Sequence, residues 1–185
     1  MILVAAGGSA TTDGGAGAIT AIGEHGGLRQ ATPVVLCDVT TPFEQAARVF
    51  APQKGADPQA VERLTSRLKG MALALPRDPT GVPMTGAAGG LAGGLWSALH
   101  AHLEPGAAFV LDALDFGERL ARATAVVTGE GAYDATSLQG KAVGEVTRRA
   151  ARAGVPVHVI TGRDDLGGAH EASTLQEIED AAARL

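Results

Sequence analysis

The chain has 185 residues, a formal net charge of −5, one cysteine, one tryptophan, one tyrosine and four phenylalanines. That length can bury roughly 70% of its unfolded surface around one core, so a single compact α/β unit over residues 1–185 is expected. The acidic balance, the absence of a Lys/Arg stripe and the few aromatics exclude a nucleic-acid surface, and Cys37 alone excludes an intrachain disulfide or a thiolate metal site. With no signal-peptide pattern and no membrane-length apolar run, a cytoplasmic protein with no membrane partner is expected.

Ile2–Ala6 reads as a short strand, followed by a Gly-rich loop, Gly7-Gly8-Ser9-Ala10-Thr11-Thr12-Asp13-Gly14-Gly15. Glycine lets backbone amides approach an anion, and Ser9, Thr11, Thr12 and Asp13 add hydroxyls and a carboxylate. The same pattern also fits an ordinary strand-to-helix turn. A helix over residues 14–22 stops at Gly26-Gly27, and residues 34–37 form a second buried strand with Asp38 at its end. Thr41-Pro42 reads as an N-cap and first turn, with Phe43, Ala46, Ala47 and Phe50 at helical spacing. Residues 51–56, containing Lys54, break that helix. Asp57-Pro58 opens the next, marked by Val61, Leu64, Leu68, Met71 and Leu75.

Residues 76–85, with three prolines, read as an exposed loop, a lid or a connector. Gly86, Gly89, Gly90, Gly93 and Gly94 then fall on one stripe of a predicted helix whose Leu91, Leu95, Leu99 and Leu103 step by four. Each interior glycine costs on the order of 1 kcal/mol relative to alanine, which calls for compensation. Close backbone packing is predicted for Gly93 and Gly94, with anion binding a competing explanation for Gly86, Gly89 and Gly90. Residues 107–111 read as a third strand, Asp115 and Glu118 as a capping box, and residues 125–128 as a fourth strand. The next stretch, Thr128-Gly129-Glu130-Gly131-Ala132-Tyr133-Asp134-Ala135-Thr136-Ser137-Leu138-Gln139-Gly140-Lys141, concentrates carboxylates, hydroxyls and a lysine behind that strand. A helix from Lys141 to Ala153, a fifth strand at 157–161 and a capping box at Thr174/Glu177 complete the chain. Alternating strands and helices predict a mostly parallel sheet flanked by helices, with ligands at the carboxyl ends of the strands. The five histidines lack metal-ligand spacing; His100 and His102 are expected on different sides of a helix.

Taken together, the residue 7–17 block, Cys37-Asp38-Val39, Phe50-Ala51-Pro52-Gln53-Lys54-Gly55-Ala56, Gly86-Ala87-Ala88-Gly89-Gly90 and Thr128-Gly129-Glu130-Gly131 with Asp134 and Gly140-Lys141 resemble the bacterial type I glycerate kinase family. The resemblance implies a two-domain α/β fold, of which this chain is an incomplete version. It also implies transfer of the ATP γ-phosphoryl group to D-glycerate, giving 2-phosphoglycerate, with Mg2+. The family carries an additional amino-terminal segment, usually has arginine where Ala132 stands and asparagine where Thr12 stands, and has a longer tail. The alternative is therefore a catalytically incomplete relative that binds ligand or depends on a partner. An exposed edge or face predicts a homo-oligomer or association with another chain. A dinucleotide-binding fingerprint and a Walker loop are both missing from the sequence.

Phosphoryl transfer needs positioning and charge stabilisation more than covalent chemistry. On the kinase reading Lys141 meets phosphate charge, Asp134 meets the metal or the glycerate hydroxyl proton, and Glu130 orients its neighbours. Gly129 and Gly131 donate backbone amides, and Asp13 is a second carboxylate. Gly7, Gly8, Ser9, Thr12, Lys54, Gly86, Gly89 and Gly90 are the remaining substrate- or phosphate-binding candidates. Asp38 is a weaker candidate, since an aspartate at a strand end is often only a cap, and Lys54 reads equally well as a solvated loop lysine.

Overall fold

Among the described residues six parallel-paired strands form two three-stranded sheets rather than the single sheet expected, because alternation specifies covered parallel strands but not which of them pair. The computed structural model describes residues 1–135, 137–138 and 141–185. The chain divides into two compact units, Met1–Gly106 and Ala107–Leu185, each with one sheet. The fold class is α/β with helices flanking parallel sheets, as the sequence indicates.

In the first unit β1 (Ile2–Ala6), β2 (Pro33–Cys37) and β3 (His102–Pro105) lie side by side in that order. Its helices are α1 (Ala16–Glu24), α2 (Ala46–Phe50), α3 (Pro58–Ala74) and α4 (Leu91–Ala98). Side chains alternate between sheet faces, and the register aligns Val4 with Val35 and Leu103. On that face Ala6, Val35 and Cys37 are buried with Ala92 and Leu95 of α4. Burial, together with the neighbouring Asp38 charge, pushes the Cys37 thiol up to about 12. Phe43, Ala46, Ala47, Leu68 and Ala72 form a second cluster between α2 and α3. Asp57 caps α3 as read from the sequence, accepting from Ala60 N at 2.7 Å, with Pro58 in the first turn.

Several local expectations are corrected. The apolar run 107–111 is helical, within α5 (Gly106–Ala113), because the periodicity of a short apolar run does not separate a helix from a strand. The third strand is instead His102–Pro105. The leucine step from 91 ends at α4: His100 turns into the left-handed region at φ 52°, so Leu103 and His102 sit on β3, not on a helix. Thr41 does not cap the helix after it. Phe43 N donates instead to Thr85 Oγ1 at 2.9 Å. Asp115 also takes φ 52° and its side chain caps nothing, so the box with Glu118 does not form.

Loop 76–85 is tied to its surroundings by side-chain hydrogen bonds near both ends. Thr85 is fully buried; its hydroxyl accepts from Phe43 N and lies 2.6 Å from Val82 O and 3.1 Å from Pro79 O. Ser97 Oγ on α4 accepts from Arg77 N and donates to Arg77 O, while the Arg77 guanidinium stacks 3.5 Å from the Trp96 ring centre. Thr85→Val keeps the shape and leaves the Phe43 amide without its acceptor. A stability loss of about 1–3 kcal/mol is expected in urea unfolding; an unchanged midpoint would show that the loop does not depend on this hydroxyl.

The second unit contains α5, α6 (Phe116–Leu120), β4 (Val126–Glu130), α7 (Ala142–Ala153), β5 (Val157–Thr161), β6 (His170–Glu171) and α8 (Leu175–Ala182), with the sheet ordered β4-β5-β6. Val143, Val146 and Ala150 give α7 its buried face. Arg149 of α7 pairs with Glu145 at 2.7 Å and with Asp112 of α5, anchoring one helix to the other. Thr174 and Glu177 form the expected capping box at α8. No helix among the described residues is long and apolar enough to cross a membrane.

Candidate active site

The motif blocks of the first unit converge at the carboxyl ends of β1 and β2. Gly7, Gly8 and Ser9 continue β1, Asp38 continues β2, and both border a cavity of about 290 Å3 that Gln53, Lys54 and Gly89 also line. Gly8 turns the chain there with φ 62°, a conformation that glycine adopts without strain. Lys54 ends a short 3-10 turn and reaches back to the first loop: its ammonium donates to Ser9 Oγ at 2.9 Å and to Thr11 O at 2.6 Å. Loss of hydration lowers the Lys54 pKa from its ordinary value, a shift that the nearby Asp13 charge opposes. Asp13 itself accepts from Gly15 N at 3.1 Å and Gly17 N at 3.3 Å, which places its carboxylate at the start of α1. Thr12 is buried behind the same loop.

The 86–90 glycines join this region through backbone contact. Gly14 N donates to Gly89 O at 3.0 Å, and a side chain at Gly89 would strike the backbone of Thr11 and Thr12. Gly86 and Gly90 lie outside the cavity lining: a Cβ on Gly86 would sit 2.6 Å from Pro42 O, and one on Gly90 would sit 2.9 Å from the Phe43 ring. The helix starts only at Leu91, after Ala88, Gly89 and Gly90 have passed through left-handed geometry. Gly93 and Gly94 do belong to α4 and pack closely, as the sequence predicts, against Phe43, Thr85 and the Gly14 carbonyl.

The second glycine turn belongs to the other unit and the other sheet. Thr128, Gly129, Glu130, Gly131 and Ala132 line a cavity of about 740 Å3 that also takes in Gly162 and Arg163 beyond β5. Glu130 Oε2 is 3.9 Å from Lys141 Nζ, and Glu130 Oε1 is buried with no hydrogen-bond partner among the described residues. Lys141 is the residue immediately before α7. Asp134 lies in the preceding turn, where Oδ1 accepts from Ser137 N at 3.3 Å. The buried Ser137 hydroxyl accepts from Asp134 N at 3.1 Å and donates to Ala132 O at 3.2 Å. Thr136, Gln139 and Gly140, with the expected Gly140-Lys141 pair, lie outside the described residues.

Gln53, Arg163 and Ser173 line these cavities without having been singled out in the sequence. Arg163 carries the one signal that could have found it, a polar residue after a glycine at the end of a strand. Among the described residues no group of three His, Cys, Asp or Glu side chains could hold a metal by itself.

Parallel strands whose carboxyl ends run into glycine-bearing turns beside cavities follow the arrangement in which open α/β sheets place ligands. A model described as the glycerate kinase family matches residues 25–183, and the chain belongs to that family. It is 39% identical over 176 residues to an uncharacterized protein of Mycobacterium tuberculosis (strain CDC 1551 / Oshkosh), covering 89% of this chain and 46% of that protein. It is 35% identical over 207 residues to glycerate 2-kinase of Escherichia coli (strain K12), covering 92% and 54% respectively. The crystal structure described as "putative glycerate kinase 2 from Salmonella typhimurium LT2" superposes with a TM-score of 0.68 at 31% identity, over 97% of this chain and 60% of that one. The chain thus spans about half the length of the curated relatives it matches.

Proposed function

We propose that the chain acts in phosphoryl transfer from ATP to D-glycerate, giving 2-phosphoglycerate and ADP. The observation that carries this reading is the cavity at the ends of β1 and β2, where Lys54, Ser9 and the Gly7–Gly8 turn stand around a space suited to a small hydroxy acid. There the carboxylate of glycerate meets the Lys54 ammonium and the backbone amides. In the reaction the glycerate oxygen bonds to the γ-phosphorus, the bond to the bridging oxygen of ADP breaks, and the hydroxyl proton passes to a carboxylate; Asp134 is assigned to the metal. Lys141 balances phosphate charge, and Glu130 orients it across their ion pair.

Magnesium fits the second unit's acidic groups. The orphaned Glu130 Oε1 is a buried acceptor in want of a partner, and Mg2+ is commonly held by one or two carboxylates together with substrate phosphates. Asp134 and Glu130 would hold it, and when bound it neutralises phosphate charge. Incubating the purified protein with ATP, magnesium and D-glycerate, and assaying phosphoglycerate, tests the reading; no product under saturating substrates would defeat it.

A second reading, a ligand-binding module that needs a partner for turnover, is favoured by Ala132, which lines the second cavity where the family resemblance calls for arginine. Binding of ATP without product supports it. Self-association or pairing with another chain belongs to the same proposal, with the exposed Ile2 and Leu3 of edge strand β1 as its apolar surface. A cytoplasmic location completes it.

Lys54→Met is expected to weaken D-glycerate binding roughly 10- to 100-fold, since a hydrogen bond to a charged group contributes about 1.5–3 kcal/mol. The pH dependence follows from the sign of the shift: affinity falls as rising pH deprotonates Lys54, at a midpoint below the ordinary lysine value of 10.5. In Lys54→Met that fall disappears. Calorimetric titrations across pH check both, and an identical profile in the variant would remove Lys54 from binding.

A further inference from the structure

The cavity of the second unit has two chemically distinct sides. Helix α8 packs on β5 through Ile160, Ala172 and Ala181, but leaves Val127 of β4 52% exposed and its own Ile178 41% exposed, both lining the cavity. Large apolar side chains left to water inside a concavity are a seat for a flat apolar group, whose binding removes them from water. The other side is the turn at Gly131, just past the end of β4, where nothing lies within 4 Å of the space beside the glycine.

Arg163 stands beside that turn. Its backbone is fixed: its carbonyl accepts from Tyr133 N at 2.8 Å and from the buried Thr161 hydroxyl at 2.9 Å. Its guanidinium is 64% exposed and pairs at 3.0 Å with Asp165, which is 46% exposed. An exposed pair of this kind contributes little, so a phosphate, which a guanidinium grips through two parallel hydrogen bonds, displaces Asp165 readily.

We propose that this cavity binds a nucleoside phosphate, with the base on Val127, Ile160 and Ile178 and the phosphates at the Gly131 turn under Arg163, which reads phosphate charge together with Lys141. The proposal rests on the kinase reading and says where its nucleotide sits. Arg163 lies outside the glycine motif, which ends at Lys141, so the motif itself implies no such role.

The test is titration of the full chain and of Arg163→Ala and Arg163→Lys with ATP and, separately, with adenosine, alongside the phosphoglycerate assay. Arg163→Ala is expected to weaken ATP binding tenfold or more while leaving adenosine affinity at the wild-type value. Retained adenosine binding also shows that the variant is folded. Arg163→Lys is expected to recover ATP affinity only in part, because an ammonium lacks the two-pronged geometry. Wild-type ATP affinity in Arg163→Ala, or parallel loss of ATP and adenosine, overturns the assignment even if the protein makes phosphoglycerate. If the unaltered chain binds no nucleotide, this proposal and the kinase reading fall together; if it binds ATP with the expected Arg163 dependence but makes no product, only the kinase reading falls.

Discussion

Replacing Asp134 by alanine is expected to cut phosphoglycerate formation about 100- to 1000-fold, the usual consequence of losing one positioned charge-stabilising group. The fold should persist, because the turn does not depend on this carboxylate alone. Ser137 Oγ, fully buried, still bridges the Asp134 amide to the Ala132 carbonyl, and both bonds survive the substitution. Asp134→Asn is the sharper variant: it keeps shape and an acceptor for Ser137 N while removing the negative charge. If charge on Asp134 serves the metal, asparagine and alanine lose activity alike at unchanged thermal midpoint. Full turnover in either would take Asp134 out of the chemistry.

Gly94→Ala is expected to destabilise the first unit by about 1–3 kcal/mol, reversing the usual sign of a helix glycine-to-alanine change. The added methyl would overlap the Gly14 carbonyl oxygen and lie 3.0 Å from Ile19 Cδ1 of α1, so α1 and α4 must move apart. Gly70, inside α3 with nothing within 4 Å of where its added methyl would lie, is the matched control. Gly70→Ala should raise stability by about 1 kcal/mol. Urea unfolding followed by the fluorescence of Trp96, which sits on α4, reads both. Equal gains in the two variants would mean that α1 and α4 are less closely packed than their glycines imply.

That contrast also marks what a linear pattern can reveal. The crowding at Gly93 and Gly94, the Asp57-Pro58 helix start and the Thr174/Glu177 box were legible because each depends on residues within a few positions of one another. Strand β3 was not: His102-Leu103-Glu104-Pro105 alternates weakly and is held by pairing with β2, a partner far away in sequence. Thr85 ties a proline-rich stretch to Phe43, 42 residues away, and polarity alone does not encode that contact. The site divides in the same way. Glycine turns behind apolar strands announced where ligands approach, whereas Lys54 meeting Ser9 across 45 positions emerges only once the chain is folded. Two similar turns also suggested one sheet, but their strands pair with different neighbours.

Cys37 gives the protein a built-in reporter. Its sulfur is buried in the middle strand of the first sheet and ionises only near pH 12, so alkylating reagents, which attack thiolates, find no target while that sheet is intact. Labelling must wait for transient opening, and its rate at neutral pH therefore counts openings of the β1-β2-β3 sheet without any introduced probe. A ligand that occupies the neighbouring cavity at Asp38 would slow that clock in proportion to how much it steadies the sheet.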